Sequence, residues 1–285
     1  MKYQSVLRWL VPPIFLLALV AAAWGLLDPT PGEPFPYTNH RGETVMINGS
    51  GLYFYDTVSS AAQMQGNDLV TLAIGLPLLA ISAWLAFHGS LRGRLLLTGT
   101  LGFFLYTYMS MATLTAYNKL FLVYVALFTL SLYAFILCML SFDLSNLPAQ
   151  FSEKLPRGWI AGLTFVVAAF LSFAWLGRIL APLMQNQTPA LENTTTLVIQ
   201  FMDLALIAPA SVIAGILLLG RNPWGYLLAS ILLTKGVTMG LGVSAMGINM
   251  ALRGVPDSLA IVIPFLVITA ATLGTAVVLL RHVKE

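Results

Sequence analysis

Runs of about twenty apolar residues, broken by short polar stretches, organise this chain from one end to the other. Eight can be marked off, at residues 8–27, 69–87, 95–117, 120–142, 159–181, 196–219, 224–250 and 259–280. At roughly 1.5 Å of rise per residue, each reaches across the roughly 30 Å of hydrocarbon in a bilayer. The pattern predicts an all-α integral membrane protein, a single polytopic domain over residues 1–285 with eight transmembrane helices. The first run carries Pro12 and Pro13 early and continues into Trp24-Gly25-Leu26-Leu27 instead of a clean cleavage site, so it reads as a retained anchor.

The longest break, residues 28–68, opens with Pro29, Pro31, Pro34 and Pro36 and continues through two β-prone segments, Thr44 to Ile47 and Leu52 to Tyr55. Asn48-Gly49 lies between them, and Asn-Gly between β-prone segments predicts a hairpin turning there. A lone hairpin is marginal in water, so this one is expected to cap the outer ends of the helices. Asn67-Asp68 is expected to cap the second helix at its amino terminus.

Charge then gives an orientation. The amino terminus, the second, fourth and sixth breaks and the carboxyl terminus hold nine Lys and Arg residues, and the other side holds only Arg41, Lys119 and Arg253. Basic loops stay in the cytoplasm, which places both termini there and the cap outside. The phrases LYTYMSMATLTAYNKLFLVY and GNDLVTLAIGLPLL have the character of bacterial inner-membrane sequence, and that is the location expected.

Composition sharpens the class without naming a chemistry. Hydrophobic residues make up 58% of the chain and charged ones 9%, far from the roughly 25% charged of soluble domains. The single cysteine, Cys138, lies in an apolar run, which excludes a disulfide framework and a thiolate metal cluster. His40, His88 and His282 all fall outside the middle of any run, so no intramembrane haem pair can form. The HExxH, EF-hand, P-loop and GxSxG spacings are missing. No catalytic residue, metal or cofactor is expected, and nothing points to nucleic acid.

What chemistry there is lies inside the runs. A charge at mid-bilayer costs roughly 2.5–3.5 kcal/mol on the gentler insertion scale, so Arg178, Asp203 and Lys235 should face protein or water. Helical side chains lean toward the helix amino terminus, which aims Arg178 down toward the depth of Asp203. These two are therefore expected to pair, with Lys235 left to another acceptor or to a water-filled space. Gln200 lies one turn before Asp203 on the same face. In the third run Gly102, Tyr106, Ser110, Thr113 and Tyr117 follow helical steps along one face, fitting helix packing or a ligand-lining surface. Gly236, Gly240, Ser244 and Gly247 in the seventh form a ridge of small residues that lets another helix come close.

A faint repetition completes the pattern. Pro77 and Pro209 are 132 residues apart, and so are Gly93 and Gly225, as if a four-helix unit occupied about 1–142 and again about 158–285. The leading expectation is a permease or binding protein for a small polar solute, held between helices three, five, six and seven by Tyr106, Ser110, Thr113, Arg178, Gln200, Asp203 and Lys235. The alternative is a non-catalytic membrane subunit that docks a protein partner through the 28–68 loop.

Overall fold

The computed structural model describes residues 1–284. Among these, eight helices are long and apolar enough to cross a membrane: α1 (Gln4–Leu27), α2 (Val58–Phe87), α3 (Leu91–Leu114), α4 (Phe121–Met139), α5 (Arg157–Met184), α6 (Val198–Leu219), α7 (Pro223–Leu252) and α8 (Ser258–Arg281). Gln4 donates to the carbonyl of Phe87, Arg92 donates to those of Leu280 and Val283, and Val283 bridges to Phe151. Both chain ends therefore lie at one end of the bundle, here the terminal end. The opposite end is the cap end.

One apolar core lies among α1 to α4, from Leu7 and Ile14 to Phe103, Phe104 and Leu127. A second gathers at the terminal end, where Leu95, Phe151, Ile160, Leu227 and Leu279 meet. Helices α3 and α7 are the most buried of the eight and join the two groups.

Helix α2 starts earlier than hydropathy indicates. Its cap is Thr57, whose side chain accepts the Ser60 N–H, while Asn67 and Asp68 lie buried inside the helix. The first turns, Val58 to Gly66, are rich in Ser, Ala and Gln, so they show no apolar run although they are packed. Small residues suit a helix pressed against another backbone, which hydropathy alone does not register.

Both α2 and α6 contain one π-turn, at Thr71–Gly75 and Asp203–Ile207. Each is closed by a bond across five residues, Leu76 N–H to Thr71 O and Ala208 N–H to Asp203 O. The cause is the proline that follows. Pro77 and Pro209 have no N–H and their rings press on the carbonyl four residues back, so the preceding turn widens. The two π-turns are 132 residues apart, and so are the capping residues Ser90 and Asn222, each bonding the next helix's first N–H groups. At Gly93 and Gly225, also in register, a Cβ would collide with the backbone of the preceding helix. The repetition marked by two residue pairs thus extends to matching backbone detail.

A small antiparallel sheet lies between α1 and α2, with β1 (Phe35–Thr38) against β2 (Thr44–Ile47) and Phe35 opposite Ile47. Its turn spans residues 39–43, where Asn39 Oδ1 accepts the N–H groups of Arg41 and Glu43. The expected hairpin around Asn48-Gly49 is corrected by this register. Leu52 and Tyr53 are consecutive and both buried, whereas neighbours on a strand point to opposite faces. Residues 48–56 instead fold as a turn closed by Asn48 N–H to Asp56 O and Gly49 N–H to Phe54 O.

Polar bonds tie this cap to the other connections of its end. Asn39 and Arg41 donate to the Glu192 carbonyl at 2.7 and 2.6 Å, Thr57 bonds the Glu192 carboxylate, and Arg253 reaches Asn48 Oδ1 and Gln65. Asp56 is buried, and among the described residues its donors are the Ser60 hydroxyl and the Ala116 N–H, both at 3.1 Å. Burial pushes its carboxyl up from 3.8 to about 6. Since the folded value exceeds the unfolded one, Asp56 stabilises most below pH 4, and that stability is lost as pH rises to about 6. A loss of about 3 kcal/mol follows from the size of the displacement. Thermal unfolding between pH 4 and 7 should show it, and Asp56→Asn should flatten it; an unchanged slope in the variant would assign the effect to another group.

Candidate functional site

The π-turn of α6 begins at Asp203, a little over one turn below the helix's cap-end start. Its side chain is buried and accepts two hydrogen bonds, from the Tyr106 hydroxyl on α3 at 2.7 Å and from the Trp175 indole on α5 at 2.9 Å. Three helices are joined through one carboxylate. Lys235 on α7 completes the group, its Nζ 3.8 Å from the centre of the Tyr106 ring. The tyrosine therefore faces both charges, hydroxyl to the anion and ring to the cation, the latter a contact of about 0.5–2 kcal/mol.

These side chains line a cavity of about 550 Å³ bounded by α2, α3, α5, α6, α7 and α8. It reaches the cap-end connections at Glu192 to Thr194 and Val255 to Ser258. Gln200, one turn above Asp203, is buried on its wall, as is Asn67 of α2, and Ser110 lines it from α3. Most of the remaining wall is apolar, with Val167, Phe170, Met239, Val243, Phe265 and Ile268 prominent. Phe170 and Phe265 meet edge to face with ring centres 5.4 Å apart, linking α5 to α8 across this side.

Several sequence expectations change here. Arg178 does not pair with Asp203: it is exposed at the cap-side rim and donates to the Ala190 carbonyl at 2.8 Å. Among the described residues the one ion pair within 4.0 Å is Arg41 with Glu43, in the cap. The lean of a helical side chain fixes its axial direction but not which face it leaves from, and Trp175, one turn earlier on α5, occupies the place at Asp203.

The third-run stripe divides. Tyr106 and Ser110 line the cavity, and Ser110 Oγ bonds the Thr107 carbonyl of its own helix. Thr113 is exposed off the cavity wall, bonding the Met109 carbonyl, and Tyr117 lies exposed beyond the helix end. Gly102 faces Phe135 and Ile231. The small-residue ridge of α7 packs as such a ridge should: Gly236 and Gly240 admit Thr272 and Thr269 of α8.

Trp175 was not singled out by the sequence, and Asp68 was expected only as part of a helix cap. Asp68 is a second buried carboxylate, facing α1 at Gly25, where the missing Cβ makes room for it, and accepting the Tyr53 hydroxyl at 2.6 Å. Comparison with known proteins returns no matching family model, no curated relative and no solved structure.

Proposed function

We propose that this chain is a multi-pass membrane protein of the permease or solute-binding kind, which holds a small solute in the cavity between α3, α5, α6 and α7. The observation that carries this reading is the convergence of Asp203, Lys235, Tyr106, Trp175 and Gln200 on one cavity. Ionisable residues within membrane helices are costly, and they are placed where they bind or relay something. A cavity of about 550 Å³ is in the range that small-molecule sites occupy. The π-turn at Asp203 breaks the regular backbone at that level, as helices do around binding sites.

The repeated features fit two four-helix units joined side by side, an arrangement known among membrane carriers, with the site where the units meet. The terminal end, which holds most of the basic residues, faces the cytoplasm in this reading, and the cap lies outside in a bacterial inner membrane.

Accessibility tests it. With Cys138 replaced by Ala, single cysteines at Ser110 and Gln200 should react with a membrane-impermeant thiol reagent applied to intact cells. Cysteines at Leu97 and Phe103, both buried away from the cavity, should stay protected. Protection at all four positions would remove the water-accessible cavity on which the reading depends.

A further inference from the structure

Lys235 is 92% buried, and its ammonium opens on the cavity. Among the described residues no oxygen accepts a hydrogen bond from its Nζ, which lies 3.8 Å from the centre of the Tyr106 ring. Burying an ammonium costs several kcal/mol, more than one ring face returns. Three N–H donors thus turn to the cavity without an acceptor of the protein's own. Asp203, by contrast, is already engaged on both oxygens by Tyr106 and Trp175. Asp203 offsets the ammonium's charge in part but takes none of its hydrogen bonds, so the unmet demand in this space is for an acceptor at Lys235 Nζ.

The rest of the cavity specifies what carries that acceptor. Val167 and Phe170 of α5, Met239 and Val243 of α7, and Phe265 and Ile268 of α8 make this wall largely apolar, and the hydroxyls of Thr164 and Thr272 on it are bonded to their own helix carbonyls. The other base on the lining, Arg178, lies at the rim and is bonded to Ala190 O, so the depth of the site offers one cation. With one cation in the depth of the site and Asp203 beside it, a group accepting from Lys235 carries at most one negative charge.

We propose that the cavity receives a singly charged anionic amphiphile, a carboxylate on an alkyl chain, with the carboxylate on Lys235 Nζ and the chain along the apolar wall of α5, α7 and α8. This rests on the cavity being a solute site and names its ligand class.

Trp175 supplies the reporter. The protein in lipid nanodiscs is titrated with 12-bromododecanoate, 12-bromododecanol and the corresponding trimethylammonium compound, following bromine quenching of tryptophan. The same titrations of Trp175→Phe subtract the other five tryptophans. The carboxylate should quench saturably and at least tenfold more tightly than the alcohol, with the cation weakest. Lys235→Met should abolish the preference for carboxylate, and Lys235→Arg should keep it.

Equal affinity for the three head groups, or an undiminished carboxylate preference in a folded Lys235→Met protein, overturns the proposal. Should that variant not fold, competition on the unaltered protein decides. Unlabelled alkanoates should gain about fourfold in affinity per added methylene. Displacement by butanoate or inorganic phosphate as effective as by dodecanoate would make this a site for a head group alone and sink the amphiphile. If a cysteine at Ser110 reacts with the thiol reagent but no quenching occurs, this inference falls and the solute-site reading stands. If both are silent, both fall.

Discussion

Asp203→Ala should destabilise the helical domain by about 3–5 kcal/mol, far more than truncating most polar residues of a membrane helix. The hydrogen bonds alone do not require that much. Side-chain bonds between membrane helices average about 0.6 kcal/mol and reach about 1.7, so losing those from Tyr106 and Trp175 accounts for about 1–3 kcal/mol. The remainder is charge. With Asp203 gone, Lys235 is a buried ammonium whose field no carboxylate opposes. The double variant Asp203→Ala, Lys235→Met should therefore recover about 2–3 kcal/mol of the loss, a coupling that unfolding in mixed detergent followed by circular dichroism can measure. A cost under about 1 kcal/mol for the single variant would mean that Tyr106, Trp175 and Lys235 find other partners. Arg178→Ala, at an exposed side chain bonded to a carbonyl, should cost under about 0.5 kcal/mol and add independently to Asp203→Ala.

That contrast between Arg178 and Lys235 shows where the sequence stops being legible. Apolar runs give the eight helices to within a few residues wherever a helix faces lipid, because the bilayer demands continuous hydrophobicity there. The rule weakens where a helix faces protein. The first turns of α2 are packed on other helices, so small and polar residues suffice, and hydropathy places the start at Leu69 instead of Val58. Depth is legible too, because counting residues from the end of a run gives the level of Asp203 and of Lys235. What the count cannot supply is azimuth across helices, and the choice between Arg178 and Trp175 as neighbour of Asp203 is a choice of face. The π-turns add to this, since a widened turn rotates everything before it relative to everything after it. Pro77 and Pro209 announced a disturbance, but the amount of rotation is a property of the packed helix.

Gly66→Val should separate the two halves of the bundle and cost at or above the upper end of the roughly 1–3 kcal/mol typical of overpacking. A Cβ built at Gly66 lies 2.7 Å from the Cα and N of Met246 and 2.8 Å from the carbonyl carbon of Ala245. The obstacle is the backbone of α7, which cannot swing aside as a side chain would, so α2 must move. By the 132-residue spacing, Gly66 corresponds to Val198 at the start of α6, and Met246 corresponds to Leu114 at the end of α3. Both Val198 and Leu114 line the cavity. Where α2 meets α7 backbone to backbone, Val198 stands in the corresponding place on α6, which α3 reaches through the bond from Tyr106 to Asp203. Gly66→Val should thus weaken thermal stability and, by loosening α2 on α7, raise the reactivity of a cysteine at Asn67 toward the thiol reagent. Gly162→Ala, whose added Cβ meets nothing within 4 Å, should cost nothing and can gain up to about 1 kcal/mol from helix propensity. If the two substitutions proved equally mild, α2 and α7 would not be in backbone contact at Gly66.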